Sequence, residues 1–338
     1  MNWQNQRVLV TGGASFIGSH LVDSLIDLGA KVRVADDLSS GKLENIKHHI
    51  DQGKVEFMQG DLKQPGMVER AAEGQNIVFH LAADHGGRGY VDLHQAACAT
   101  NLALDGMVFL ACKKASVEKI VFASSGCVYP NFMQTDVNKE IYLKEEDVKP
   151  PYDSDNLYGW AKLMAELTLK AYSRDWGIKT ASCRFFTVYG ERGVENHAVI
   201  AMIARAFIKQ NPFVVWGDGQ QIRNWTHVKD IVKGMILTAE KVDDGSAVNL
   251  GTMERTKVID AVKEVMRYTG HNAEIEFHPE MPVGPQNRVA DNSLAKKLLG
   301  FAPEVKFIDG LRKTIDWYFK TKNIEEVKRD FEKKLTER

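Results

Sequence analysis

A short apolar strand that runs directly into a glycine-rich turn and then a helix leaves a chain few ways to fold. Arg7-Val8-Leu9-Val10-Thr11 reads as the strand and Thr11-Gly12-Gly13-Ala14-Ser15-Phe16-Ile17-Gly18 as the turn. Ser19-His20-Leu21-Val22-Asp23-Ser24-Leu25-Ile26 then carries helical apolar spacing up to a stop at Gly29. A second strand, Lys31-Val32-Arg33-Val34-Ala35, ends on Asp36-Asp37 and completes a β-α-β unit. The alternation continues with Val55-Glu56-Phe57-Met58, Ile77-Val78-Phe79-His80 and Lys119-Ile120-Val121-Phe122-Ala123, separated by helical patterns. Strands that are apolar on both faces and alternate with helices predict an α/β class, a doubly wound parallel sheet covered on both sides.

Beyond about residue 185 the alternation loosens, and Pro212, Pro279, Pro282, Pro285 and Pro303 punctuate shorter elements. The chain of 338 residues, 44% hydrophobic, is long enough for a large core with an appended lobe. The expected division is 1–185 for a nucleotide-binding domain and 186–338 for a smaller lobe, with elements free to interleave across it. No internal repeat or low-complexity segment stands out. The last stretch, 325–334, is dense in mixed charge and reads as a solvated helix without chemistry.

Charge excludes some partners. With 44 basic and 45 acidic residues the formal net charge is -1, so there is no broad basic field for nucleic acid or an anionic membrane, and any phosphate site must be local. No run reaches about 18 apolar residues, and the start lacks a charged-then-hydrophobic leader, which sets the expectation of a cytoplasmic protein. Cys98, Cys112, Cys127 and Cys183 lack metal-type pairing. They read as reduced thiols, and no metal site is expected.

Gly12 and Gly18 let the chain turn tightly after the first strand, so that a helix N-terminus faces a pyrophosphate. The middle glycine of the usual Gly-x-x-Gly-x-x-Gly is replaced by Ser15, which adds a side chain where backbone normally approaches a dinucleotide closely. Asp36, at the end of the second strand, would accept from the adenosine ribose hydroxyls and repel a 2′-phosphate, favouring NAD over NADP. Asp37 is its neighbour, and either carboxylate could instead cap the loop Leu38-Ser39-Ser40-Gly41.

Further along, Tyr158-Gly159-Trp160-Ala161-Lys162 puts a phenol and an ammonium four residues apart on one helix face. The lysine's charge favours the phenolate, so Tyr158 is expected to have a lowered pKa and to act as a base. The Gly-rich opening, the hydroxyl-rich run Ala123-Ser124-Ser125-Gly126-Cys127-Val128-Tyr129-Pro130 and this Tyr-x-x-x-Lys, in that order, resemble the extended short-chain dehydrogenase/reductase family of nucleotide-sugar epimerases and dehydratases.

That resemblance implies a Rossmann fold, bound NAD and a catalytic trio of Ser125, Tyr158 and Lys162, although Ser125 by itself could simply cap a strand end. It also implies that Ser15, Phe16 and Ile17 line the cofactor with Gly12 and Gly18. Asp61-Leu62 resembles the adenine-contacting pair, and Leu81-Ala82-Ala83 after His80 the cofactor-lining turn. Trp216-Gly217-Asp218-Gly219-Gln220-Gln221-Ile222-Arg223-Asn224-Trp225 is similar to the family's nucleotide-diphosphate segment, with Arg223 as phosphate clamp and Arg288 as a second. A homodimer is implied as well.

Cys127 carries two readings: a small buried residue, or an acid/base for a carbon-bound proton made acidic by a neighbouring ketone. Its run, with Ala82-Ala83-Asp84-His85-Gly86-Gly87-Arg88-Gly89-Tyr90, resembles GDP-mannose 3,5-epimerases, in which the matching cysteine is an acid/base and the Gly-Gly loop, here Gly87 and Arg88, covers the sugar. The lysine those enzymes place opposite is absent from Glu195-Asn196-His197-Ala198-Val199. His197 is the nearest proton carrier, and Cys with His resembles GDP-fucose synthase. Thr187 in Arg184-Phe185-Phe186-Thr187-Val188-Tyr189-Gly190 instead resembles UDP-glucuronate 4-epimerases. The expectation is an NAD-dependent nucleotide-sugar epimerase working through a transient 4-keto sugar. GDP-mannose-type 3,5-epimerisation comes first, and UDP-hexose or UDP-glucuronate 4-epimerisation is the alternative. A 4,6-dehydratase fits less well, since Gly126-Cys127 stands where its acidic pair goes. A non-catalytic NAD sensor fits least, since Tyr158 and Lys162 are both kept.

Overall fold

In a computed structural model, which describes residues 1–336, the strand pattern resolves into one seven-stranded parallel sheet. Its members are β1 (Arg7–Thr11), β2 (Lys31–Asp36), β3 (Val55–Gln59), β4 (Ile77–His80), β5 (Lys119–Ser125), β6 (Lys179–Phe185) and the strand Asp244–Leu250. The order runs Asp244–Leu250, β6, β5, β4, β1, β2, β3. β1 is thus flanked by β2 on one side and β4 on the other, so successive crossovers leave it in opposite directions. The crevice at the carboxyl ends of β1 and β4 is where such a sheet binds ligands.

Apolar residues alternate faces along each strand, and both faces are covered. Val8 and Val10 pack with Leu21, Val22 and Leu25 of helix α1 (Phe16–Asp27) and with Ile231 and Met235 of the Val228–Lys241 helix. On the other face Leu9, Val78 and Phe122 meet Val108 and Phe109 of the Asn101–Lys114 helix and Leu169 of the Asn156–Trp176 helix. The run Gln95–Lys114 is long and apolar enough in composition to cross a membrane. Here it is two helical pieces that meet at Thr100 and pack against the Asn156–Trp176 helix.

A separate apolar cluster joins Val199, Ile200 and Ile203 to Val262 and Val265, Leu311 and Ile315, and Phe331. The chain leaves the sheet after Phe185, but the Val228–Lys241 helix and the Asp244–Leu250 strand return to it, so the two halves interleave across residue 185. The final helix, Ile324–Thr336, corrects the expectation of a fully solvated segment. Val327, Phe331 and Leu335 recur at four-residue spacing and are buried, while the charged residues take the outer face.

Candidate active site

The Gly-rich turn is built by close approach. Gly12 has φ +69°, and a Cβ there would lie 2.9 Å from the Ala82 nitrogen; a Cβ on Gly18 would lie 2.2 Å from the Gly12 oxygen. Gly12 therefore permits the turn and Gly18 lets α1 sit down on it. Ser15, at φ -80°, needs no glycine freedom, and its hydroxyl folds back to donate to the Gly12 carbonyl at 2.5 Å. The side chain that replaces the middle glycine is thereby tied down at the helix N-terminus.

Thr11 and His80 lock the ends of β1 and β4 together. The Thr11 Oγ1 accepts the Leu81 and Ala82 amides, both at 3.1 Å, so its proton goes to His80 Nδ1 at 2.7 Å. His80 Nε2–H then donates to Asp105 at 2.9 Å. A cavity opens here, lined by Gly12, Ser15, Asp36, Asp37, Asp61, Leu62, Leu81, Ala82 and Ala83. The buried Asp36 carboxylate accepts the Ala14 amide at 2.9 Å and the Leu38 amide at 2.8 Å, so it does cap its loop while also facing the cavity. A glycine cradle, a helix N-terminus and a buried carboxylate at the end of β2 fit a dinucleotide such as NAD. Ser15, Leu81 and Ala83 also line a larger cavity, so the two are neighbours.

Into the larger cavity come Phe16, Ile17, Gly87, Arg88, Ser125, Cys127, Tyr158, Lys162, Thr187, His197, Arg223 and Arg288. Of the residues singled out from sequence, only Gly18 lines neither cavity; it serves packing. Gly159 explains how Tyr158 arrives. A Cβ on it would sit 2.3 Å from the Cys127 oxygen, so its absence lets the Asn156–Trp176 helix lie directly on the Ser125-Gly126-Cys127 turn. Ser125 caps that turn, accepting the Cys127 amide at 3.1 Å, and its hydroxyl is close enough to Tyr158 to favour the phenolate.

One electrostatic expectation is corrected. Burial raises the Tyr158 pKa well above that of a free phenol, with Cys127, Asp105 and Cys98 adding to the effect and the Ser125 bond opposing it. Lys162 does not reverse this: its ammonium stands 5.6 Å from the Tyr158 ring centroid and 4.5 Å from that of Phe122. Its own pKa is pulled down by burial against the pull of Asp105, Cys127 and Glu166. Tyr158 in this geometry is a neutral phenol.

The opposite wall is the Gly-Gly loop pressed onto the segment before the Ala198–Phe207 helix. A Cβ on Gly87 would fall 1.6 Å from the Asn196 oxygen, which no side chain could tolerate. His85 from this loop stacks on Tyr158, rings 4.6 Å apart, and its ring lies 5.8 Å from that of His197. Burial drives the His197 pKa down to about 4, so it is neutral at ordinary pH. Sequence reasoning passed over His85 as a site residue although it stands beside the Gly-Gly pair.

Three guanidiniums converge on the floor. Arg88 reaches Asp155 at 2.8 Å and Arg288 reaches the same carboxylate oxygen at 3.0 Å, so one acid serves two bases and its pKa is lowered by them against its burial. Arg288 also donates to Gln134 at 2.6 Å and lies 3.2 Å from the Cys127 sulfur. Arg223 bonds the Ile222 and Val283 carbonyls, both at 2.8 Å, and no ion pair engages it among the described residues. Burial, with Arg288 and Arg88 close by, lowers its pKa to about 9. A half-buried cation held by carbonyls rather than by a carboxylate suits a diphosphate. Asp155, which organises this cluster, went unnoticed in sequence because an acid just before a helix reads only as a cap. Asp23, His48 and His49 bring possible metal-ligand atoms within 4.8 Å of one another, away from both cavities, but Arg192 and His49 already hold the Asp23 carboxylate.

Known proteins resemble this chain in sequence and in fold. The chain is 32% identical over 316 residues to GDP-mannose 3,5-epimerase 1 of Oryza sativa subsp. japonica, spanning 92% of this chain and 81% of that one. Its fold matches UDP-glucose 4-epimerase from Thermotoga maritima, solved with UDP-glucose, at a TM-score of 0.83 and 30% identity, covering 94% of this chain and 99% of that one. It also matches UDP-glucuronic acid 4-epimerase from Bacillus cereus, solved with UDP-glucuronic acid and NAD, at a TM-score of 0.82 and 26% identity, covering 95% and 100%. Residues 8–251, from the first strand past the Tyr-x-x-x-Lys helix to the end of the returning strand, fit one family model, and the chain belongs to the NAD dependent epimerase/dehydratase family.

Proposed function

We propose that this protein is a nucleotide-sugar epimerase that works through a transient 4-keto sugar, and that it is a 3,5-epimerase of a GDP-mannose-type substrate. The observation that carries this reading is the Cys127 thiol in the larger cavity, 3.2 Å from the Arg288 guanidinium. Held along Gly12, Ser15 and Asp36, NAD would supply a reversible hydride acceptor for C4. Ser125 and Tyr158 handle the proton of the C4 oxygen, and Lys162 holds the cofactor ribose. The ketone acidifies the hydrogens at C3 and C5; the neutral His197 takes such a proton on one face and the Cys127 thiol gives one on the other. Arg223, with Arg88 and Arg288, holds the diphosphate. Thr187 lines the sugar end.

The alternative is 4-epimerisation of a UDP-hexose or UDP-glucuronate, which requires only the Tyr158 centre and a sugar that turns over in the site. Thr187 and the likeness to two solved 4-epimerases favour it. Incubation with GDP-mannose, UDP-glucose and UDP-glucuronate in deuterated water, read by NMR, separates the two. Deuterium at C3 or C5 of the mannose sugar is the expected result; epimerised product without deuterium selects the 4-epimerase.

The proposal includes a homodimer and a cytoplasmic location. Trp160, Met164 and Leu167 are exposed at helical spacing on one helix, and Leu102 and Leu110 are exposed on its neighbour, an apolar outer face suited to a four-helix contact. All four cysteines are free thiols, as suits a reducing compartment.

A further inference from the structure

The loop that carries His85 is fixed on both sides of it. Before it, the fully buried Asn101 clamps Asp84: the Asn101 Oδ1 accepts the Asp84 amide at 2.7 Å, and its Nδ2 donates to the Asp84 carbonyl at 2.9 Å. The Tyr90 hydroxyl donates to the Asp84 carboxylate at 2.6 Å. After it, a Cβ on Gly86 would fall 2.6 Å from the Tyr90 Cβ, and one on Gly87 would fall 1.6 Å from the Asn196 oxygen, so both glycines are pressed flat against their neighbours. His85 is thereby held half-buried in the wall of the larger cavity, which it lines. Its ring lies 4.6 Å from that of Tyr158 and is inclined to it by only 25°, and the His197 ring stands 5.8 Å away on its own account.

Resting on the 3,5-epimerase reading above, we propose that His85 is a catalytic residue, a second proton carrier beside His197 for the carbons next to C4. Tyr158 must touch the C4 oxygen, and C3 and C5 are each one bond from C4. A ring stacked on Tyr158 and open to the cavity is therefore within reach of the hydrogens that the ketone makes acidic. A ring nitrogen of His85 accepts the carbon-bound proton, and the electron pair of the broken C–H bond moves to the C4 oxygen as an enolate. That pair returns to carbon as the Cys127 thiol gives its proton to the opposite face. The imidazolium then loses its proton to water and the thiolate takes one from water, which restores both groups with no net change. Two carbons have to be inverted, and two imidazoles on one wall provide a carrier for each. The loop bonds through Asp84 fix His85 before substrate arrives, so little ordering is left to the reaction itself.

The test is incubation of the full-length, NAD-loaded protein with GDP-mannose in deuterated water, with deuterium at C3 and C5 read by NMR and transient nicotinamide reduction read by absorbance. His85→Phe keeps a flat ring to stack on Tyr158 but carries no proton. Deuterium uptake should fall by about tenfold or more at C3, C5 or both, while nicotinamide reduction stays within about twofold of wild type. If the larger ring prevents folding, His85→Asn supplies the same comparison. Unchanged uptake at both carbons in a folded variant overturns the proposal. So does a fall in uptake matched by an equal fall in nicotinamide reduction, since His85 would then only brace the Tyr158 ring. If the wild-type product carries no deuterium at C3 or C5, the 3,5-epimerase reading fails first and this one falls with it.

Discussion

The Arg288 guanidinium is fixed 3.2 Å from the Cys127 sulfur by two other partners, Asp155 and Gln134. Asp155 is itself shared with Arg88, and its amide donates to the Cys127 carbonyl at 2.9 Å. The thiol, its cation and the N-terminus of the Tyr158 helix are thus one rigid unit. Negative charge that develops on the sulfur as a proton moves meets a cation already in place, with no reorganisation needed.

Cys127→Ser should therefore separate the two candidate activities. In a 3,5-epimerase, deuterium uptake at C3 or C5 nearly vanishes while transient nicotinamide reduction persists, because C4 oxidation uses Ser125 and Tyr158. In a 4-epimerase the same change alters turnover only modestly. A variant that epimerises at full rate, with no solvent deuterium in the product from it or from wild type, rules out the first choice.

Gly159→Ala should damage the site from the helix side. Its Cβ would lie 2.3 Å from the Cys127 oxygen, and backbone cannot swing away as a side chain can. Overpacking of this kind costs about 1–3 kcal/mol. A lowered melting temperature together with a turnover loss larger than that of Trp160→Ala, on the helix's exposed face, is the expected pair of measurements.

The parallel sheet, its Gly-rich turn and the shared face of Tyr158 and Lys162 were legible because each depends on local spacing: apolar runs, one φ-permissive glycine, one helix face; Ser125 joined them only through the family resemblance. What was not legible depends on partners far apart in sequence. The Asp155 bridge joins Arg88 to Arg288, and nothing near any of the three marks it. The Tyr158 pKa was misjudged for the same reason, since one neighbouring charge can be read from spacing but total burial cannot. The last helix looked solvated because its charges outnumber the three apolar residues that it buries.

Asp36→Asn should shift cofactor preference. The carboxamide can still accept from the Ala14 or Leu38 amide, so the turn is largely kept, but the charge that repels a 2′-phosphate is gone. Affinity for NADP relative to NAD should rise by about tenfold or more. An unchanged ratio in fluorescence titrations would mean that Asp36 only caps its loop.

Tyr158→Phe removes one oxygen from a buried ring and should leave folding and NAD binding intact. Turnover should fall by about two to four orders of magnitude. Because burial holds the phenol neutral, wild-type activity should keep rising with pH above neutrality until other groups intervene. Near-normal activity of the variant would exclude Tyr158 as the proton carrier.

His197 makes a prediction about stability as well as chemistry. Its folded pKa of about 4 lies below the usual value of 6.5, so between those values the unfolded chain binds more protons and stability rises with pH. The contribution of its neutral ring is complete above about pH 6.5 and is lost as pH falls towards 4, an effect on the order of 2 kcal/mol. Thermal melts of wild type should therefore drop across that window more steeply than melts of His197→Asn, which cannot titrate there. Parallel melting curves for the two proteins from pH 7 to pH 4 would show instead that the ring meets water or a partner that keeps its pKa ordinary.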